Sequence, residues 1–484
     1  MLKPASSQER LARRMKSALP WAIGESFLSA ASSLLTTLTV ARLVLPEELG
    51  LAAIAIAIPM VVQALLLTGP TNALIRTPRI DVATLDSMTW CFLVLGVIGW
   101  LFCIGVAPVV ALLYDHSELI PLLQIYGASC FLQAAMSVPT ALLTRKMRTR
   151  TLALRTLGQK IATLVVTLST ALLGWGSWAI VIGSLVGFAI ATAVLLYRQP
   201  RRPRLYFSWN AIVPILKLGG LNSIETLAGA ITPRAFLLVF GRVQGLEALG
   251  WLNFGIRLVD ELANILSMAI TRMSLPFFSA LTRSGIDDRD AFLRGSHLIV
   301  GVSAPVLFGL AAIASDLIPI VFGDRWTEAI LTTQIVSIVW ALKFTRVLSS
   351  ALLLARGSQA PQIANSWIAF ATGTLAAAAV GNWPFQFAVW SYVVPTLITV
   401  PLGIYMLKVI TGMSALSQIR CVLKPLLISA GMFLALLYLR NAMIDDLQPI
   451  WRVFISVACG ICSYVALVLL IDRHSWQNAL RNLR

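Results

Sequence analysis

Charge is scarce in this 484-residue chain: Asp, Glu, Lys and Arg make up 12% of it, about half the roughly 25% of an ordinary soluble domain. Hydrophobic residues account for 58% and the mean hydropathy is +0.83, a balance that excludes a soluble fold. Histidine occurs three times. His116 and His474 fall in predicted loops and His297 at the start of a span, so an intramembrane acyl transfer lacks its base. The six cysteines lie in or beside apolar runs, and Cys459-x2-Cys462 has no second ligand pair for zinc; they read as small core residues. Long hydrophilic segments are missing as well. No outer connection is long enough to hold a catalytic domain, and Asp445-Asp446 is the one acidic pair on that side. These absences point away from an enzyme and from any cofactor.

Long apolar runs are what the chain has. A spanning helix needs about 20 such residues. The runs predict spans at 19–43, 47–69, 88–113, 118–143, 157–175, 177–197, 213–240, 247–275, 295–322, 329–353, 363–380, 385–407, 423–439 and 453–471. The expected fold is an all-α integral membrane protein of about fourteen transmembrane helices. The first run contains Glu25 and is too long for a signal-peptide core, so it reads as a span behind a basic amphipathic segment, 1–18. With the N-terminus inside, the cytoplasmic segments carry 26 Lys and Arg and the opposite side carries 4, namely Arg242, Arg325, Arg440 and Arg452. That split predicts both termini in the cytoplasm. It also absorbs the net charge of +17 that would otherwise suggest nucleic acid. The basic stretches 9–18 and 414–424 are expected to lie along the inner leaflet.

The chain resembles itself at an offset of 200: Glu25 and Glu225, Arg42 and Arg242, Glu47 and Glu247, Leu49 and Leu249, Gly50 and Gly250. At an offset of 210, Gln124-Ile125 matches Gln334-Ile335 and Ala141-Leu142-Leu143 matches Ala351-Leu352-Leu353. Two equivalent six-helix lobes follow, 19–197 and 213–407, joined by a basic linker at 198–212, with an addition at 408–484. Repeats of six spans share one orientation, which predicts a cavity between two bundles and alternating access.

Predicted spans 7 and 8 hold Lys217, Glu225, Arg234, Arg257, Asp260, Glu261 and Arg272. At roughly 3 kcal/mol each, seven such groups facing lipid would cost on the order of 20 kcal/mol, so they must face protein or water. Arg257 lies roughly 16 Å into its span. Span 10 adds Lys343 and Arg346. Arg257, Arg234, Arg42, Arg346, Lys343 and Arg272 are the candidate cations for an anionic cargo, since phosphates recruit charge-assisted contacts. Glu25, Glu225, Asp260 and Glu261 would position them or exchange a proton or Na⁺. Two plainer readings stand beside these: Arg257 pairs within its own helix with Asp260 or Glu261, and Arg272 snorkels to the interface. Pro20, Pro46, Pro214, Pro233 and Pro276, with Gly219-Gly220, mark helix ends or hinges.

Ala41-Arg42-Leu43-Val44-Leu45-Pro46-Glu47-Glu48-Leu49-Gly50 resembles the connection between the first two helices of the polysaccharide repeat-unit flippases. Further landmarks follow in order: Ala248-Leu249-Gly250 before Arg257, Leu275-Pro276-Phe277-Phe278-Ser279-Ala280-Leu281, Val321-Phe322-Gly323-Asp324-Arg325-Trp326 and Ala351-Leu352-Leu353-Leu354-Ala355-Arg356-Gly357. The likeness runs over roughly 15–410. It implies the MOP superfamily, a two-lobed fold of fourteen helices, and transfer of undecaprenyl-pyrophosphate-linked oligosaccharide across a bacterial inner membrane for exopolysaccharide or O-antigen biosynthesis. It implies a phosphate-binding role for Arg257 and Arg234, with Arg42 and Arg346 behind them. The expected partners are the lipid-linked glycan, membrane lipids, and a polymerase and chain-length proteins; the chain is expected to act as a monomer. The rival is a multidrug antiporter of the same fold, whose cavity should be acidic and aromatic.

Overall fold

The computed structural model describes residues 24, 28–29, 31–78, 80–146, 148–198, 203–284, 287–358, 360–440, 442 and 447–472, with backbone alone at 218, 220–226, 268–269, 271–273 and 275–276. The basic segment 1–18, Pro20 and Glu25 lie outside the described residues. Among the described residues every regular element is helical. Nine stretches among the described residues are long and apolar enough to cross a membrane. The first is α2 (Pro46–Gln63), a π turn (Ala64–Thr68) and α3 (Gly69–Arg76) in continuous succession. The next are α4 (Val82–Tyr114), α5 (Leu119–Arg145) and α7 (Ser177–Tyr197). The rest are α10 (Asp288–Phe322), α11 (Ala329–Phe344) with α12 (Val347–Ala355), α14 (Phe385–Ala388) with α15 (Val394–Thr411), α16 (Ala415–Leu439) and α17 (Pro449–Ile471). Five further helices stand where the remaining spans are expected: α1 (31–43), α6 (Thr149–Leu172), α8 (Trp209–Gln244), α9 (Leu246–Ser284) and α13 (Ala360–Ala379).

Helices overrun the predicted spans because hydropathy marks only the part suited to hydrocarbon. Asp287 caps α10 by accepting the Arg289 N–H at 3.0 Å, and Ser414 caps α16 by accepting the Ser417 N–H at 3.1 Å. The stretch 414–424, expected as a separate in-plane segment, is instead the cap and opening turns of α16. Pro214, Pro233 and Pro276 lie within continuous helices rather than at breaks, whereas Pro46 opens α2.

The chain divides into two compact units, Met1–Gly250 and Trp251–Arg484. That division falls later than the expected linker because α8 packs on α2, α3 and α4. Gly219 makes this contact close: a Cβ there would lie 2.8 Å from Pro70 Cα. In the first unit several close helix contacts fall at glycines. Gly96 of α4 would carry a Cβ 2.6 Å from the Ala134 Cβ of α5, and at Gly183 and Gly187 of α7 a Cβ would fall on the Thr167 and Thr163 hydroxyls of α6. Small residues four apart let membrane helices approach. The turns that open α2 and α9 meet reciprocally: a Cβ at Gly50 would fall on the Leu246 carbonyl, and one at Gly250 on the Pro46 carbonyl. Gly50 and Gly250, like Pro46 and Leu246, are 200 residues apart, so the sequence repeat meets itself here as a two-fold contact does.

In the second unit α10 packs on α11, α16 and α17 and is tied by charge. Arg356 holds the buried Asp288 through Nε at 3.0 Å and Nη2 at 2.5 Å, which pushes the guanidinium pKa further up. At the far end of α10, Asp316 receives Arg440 at 3.2 Å and Arg452 at 3.8 Å. Near its start, His297 Nε2 lies 2.7 Å from the buried Asp472 at the end of α17, while Nδ1 lies 2.7 Å from the Cys421 carbonyl of α16. The α16–α17 pair is thus clamped to α10 at both ends. Most of α17 faces outward, so Cys462 is exposed rather than a core residue; Cys103 and Cys130 are buried as expected.

Candidate functional site

Two interruptions in neighbouring helices shape the polar centre of the second unit. Between α11 and α12 the helix breaks at Thr345 and Arg346, where the Thr345 hydroxyl bonds the Leu342 carbonyl at 2.6 Å in competition with the backbone. Before α15 a 3₁₀ turn spans Val389–Tyr392. Pro395 has no N–H to give the Ser391 carbonyl, which removes one helical hydrogen bond at this turn. Irregular backbone at membrane depth is tolerated where protein or a cavity surrounds it.

The interruptions bring together residues from four elements: α9, α11, the 3₁₀ turn and α15. Trp340 donates its indole N–H to Asp260 of α9 at 2.7 Å. One turn on, Lys343 Nζ stands 5.1 Å from the Trp340 ring centroid and 5.2 Å from that of Tyr392, within cation–π range of both. Asp260 acts on Lys343 electrostatically as well. Arg346 follows at the break, its Nη1 donating to the Val400 carbonyl of α15 at 3.2 Å. Gly403 makes that seat: a Cβ there would fall on the Arg346 guanidinium.

Of the expected site residues, the structure joins Asp260 and Lys343 in one cluster and puts Arg346 beside it. Arg257 and Glu261 are half-buried on α9 in the same unit. Arg234 belongs to the first unit, where Nη1 bonds the Ala230 carbonyl at 2.9 Å and Nη2 approaches Met60 Sδ at 3.8 Å. Arg42 is exposed near the end of α1. Glu225 and Arg272 are helical, with side chains outside the description. The sequence reading missed Trp340, Tyr392 and Gly403. Trp340 could have been found, since it shares a helix face with Lys343 at i, i+3; Tyr392 and Gly403 could not, because only the fold brings them near.

Residues 39–331 match the protein family described as "Polysaccharide biosynthesis protein", more than half of the chain. The chain is 23% identical over 424 residues to the teichuronic acid biosynthesis protein TuaB of Bacillus subtilis (strain 168), covering 84% of this chain and 85% of TuaB. It is 20% identical over 338 residues to the lipopolysaccharide biosynthesis protein WzxC of Escherichia coli (strain K12), covering 69% of each. Among solved structures, the lipid II flippase MurJ in an inward closed conformation superposes with a TM-score of 0.77 at 13% identity, over 94% of this chain and 99% of MurJ. An inward-facing multidrug resistance MATE transporter of the MOP superfamily superposes at 0.62 and 14% identity, over 86% and 96%. This chain belongs to the polysaccharide biosynthesis protein family and is a multi-pass membrane protein on the fold that MurJ and the MATE transporter share.

Proposed function

We propose that the chain is a flippase. It moves undecaprenyl-pyrophosphate-linked oligosaccharide repeat units across the bacterial inner membrane by alternating access, for exopolysaccharide or O-antigen biosynthesis. The observation that carries the reading is the family match over residues 39–331 on a fold shared with a lipid II flippase. In this reading α1, α6, α8, α9 and α13 also span, giving fourteen helices with both termini in the cytoplasm, and the repeats form two lobes with α16 and α17 as the addition. Arg257 and Arg234 lead the contacts to pyrophosphate, with Arg42, Arg346, Lys343 and Arg272 as further cations. Asp260, Glu261, Glu25 and Glu225 position them or couple transport to Na⁺ or a proton. A polymerase and chain-length proteins would receive the product.

The shared fold also supports a MATE-like multidrug antiporter. The sign of the charge within the spans separates the two readings: a cation carrier needs acidic and aromatic groups, whereas the candidate site has more Lys and Arg than Asp and Glu. The test is complementation of a host lacking its own repeat-unit flippase. The chain should restore surface glycan, and Arg257→Ala at equal membrane abundance should lower export at least tenfold. Unimpaired export would remove Arg257 from the mechanism; no export by the unaltered chain would overturn the reading.

A further inference from the structure

Beside Arg346 the second unit has a half-open cavity of about 280 Å³, walled by α12, α13 and α15. Lys343 and Arg346 line it, and among the described residues that do so there is no Asp or Glu. Lys343 is balanced by the Asp260, Trp340 and Tyr392 cluster. Arg346 is not. Among the described residues its guanidinium makes one hydrogen bond, to the Val400 carbonyl, out of the five N–H groups such a fork carries. A guanidinium held at membrane depth without a carboxylate is expensive, and the remaining donors call for water or an oxyanion in the cavity.

A second group in the same wall narrows the choice. The Oδ1 atom of Asn365, on α13, is buried with no hydrogen-bond partner among the described residues. An orphaned buried acceptor costs free energy until a donor reaches it. An ionised phosphodiester, like the one that joins a sugar to its lipid, has only acceptor oxygens, which satisfy Arg346 but give Asn365 no donor. A hydroxyl supplies one. Ser349 and Gln362 add polar groups to the wall, and Met406 and Leu353 add apolar faces. The volume is at the lower end of small-molecule pockets: room for one phosphorylated ring, not for an oligosaccharide.

We infer that this cavity is a subsite for a sugar phosphate, with Arg346 holding the phosphate oxygens and Asn365 accepting from a ring hydroxyl. The choice of ligand rests on the flippase reading, which supplies a sugar joined to phosphate; the anion site itself rests only on the cavity. Gly403 is the positioning residue, since its missing side chain gives the guanidinium its place.

The test is calorimetry on the full chain in nanodiscs, with glucose 1-phosphate, galactose 1-phosphate, inorganic phosphate, undecaprenyl pyrophosphate without sugar, and free glucose as probes. At least one hexose phosphate should bind at least tenfold more tightly than inorganic phosphate, glucose should not bind, and the sugar-free lipid, which in the flippase reading has its contacts at Arg257 and Arg234, should bind the Asn365→Leu chain as well as the unaltered one. Arg346→Gln should weaken hexose phosphate at least tenfold. Asn365→Leu should weaken it several-fold while leaving inorganic phosphate unchanged, and this variant keeps the question open to test if Arg346→Gln fails to fold. Equal binding of phosphate and hexose phosphate would reduce the site to a bare anion site and overturn the inference. So would loss of sugar-free lipid binding in Asn365→Leu, no saturable hexose phosphate binding, or full affinity in both variants. Export is scored separately: a chain that binds hexose phosphate but restores no export defeats the flippase reading alone, and one that exports but shows no such binding defeats the subsite alone.

Discussion

Arg145 and Arg356 close corresponding repeats, after Ala141-Leu142-Leu143 in the first unit and Ala351-Leu352-Leu353 in the second, yet they grip different chemistry. Arg145 donates to the carbonyls of Leu74 at 3.1 Å, Ile75 at 3.3 Å and Pro78 at 3.1 Å, and to that of Thr77. It thereby caps the C-terminal end of α3, where the helix dipole is negative. Arg356 grips a carboxylate, Asp288, whose side chain is 4% exposed. A backbone carbonyl has no charge to lose and no side chain to mutate. The first unit therefore anchors its arginine in the main chain and brings helices together at glycines such as Gly96, Gly183 and Gly187, while the second unit anchors α10 through ionised side chains. The two should fail in different ways.

The largest effect is expected where a buried charge loses its partner. Asp288→Asn leaves Arg356 without its counter-charge, at a cost of about 3–5 kcal/mol, read as a large fall in melting temperature in detergent. Arg356→Gln strands the carboxylate and should cost as much, and the double variant should cost less than the two singles summed. Strict additivity would show that the pair contributes nothing. Next come Gly50→Ala and Gly250→Ala. Each drives a methyl into a backbone carbonyl that cannot rotate away, for about 1–3 kcal/mol. Because the contact is reciprocal, the two losses should match; an effect confined to one would break the equivalence of the repeats. Smaller again is Arg145→Gln, which removes charge-assisted bonds from a helix end that water can reach, at about 1–2 kcal/mol. Arg145→Lys should recover only part of it, because an ammonium cannot fork across several carbonyls.

These positions also show what the sequence could carry. The apolar runs and the positive-inside split made the membrane class readable, because hydrocarbon imposes one requirement on every span. The 200-residue repeat was readable at Gly50 and Gly250, where a missing side chain is needed in both copies. Helix ends were less so: the caps at Asp287 and Ser414 extend α10 and α16 into polar sequence that hydropathy assigns to loops. The site divided likewise. Lys343, Arg346 and Asp260 stood out as charges in apolar runs. Tyr392 and Gly403 did not, since an aromatic and a glycine are ordinary in a span and acquire meaning only beside Lys343 and Arg346. At the offset of 210, Arg356 falls on Lys146, one residue after Arg145, and nothing in that pattern shows that Arg145 binds carbonyls and Arg356 a carboxylate, which long-range folding decides.

The smallest expected effect tests the glycine side of the comparison by rescue. Gly183 and Gly187 of α7 sit under the Thr167 and Thr163 hydroxyls of α6. The Thr167 Oγ1 atom is buried without a hydrogen-bond partner among the described residues. Gly183→Ala presses a methyl into that hydroxyl and should cost about 1 kcal/mol. Thr167→Ala removes the hydroxyl and its unsatisfied polarity, so it should be close to neutral. Together, Gly183→Ala and Thr167→Ala should recover part of the lost melting temperature, because the new Cβ would still lie 3.1 Å from the residue-167 Cβ and 3.0 Å from its backbone nitrogen. Failure of the rescue would mean that the α7 glycine is needed for backbone approach itself, and that the first unit depends on main-chain contacts here as it does at Arg145.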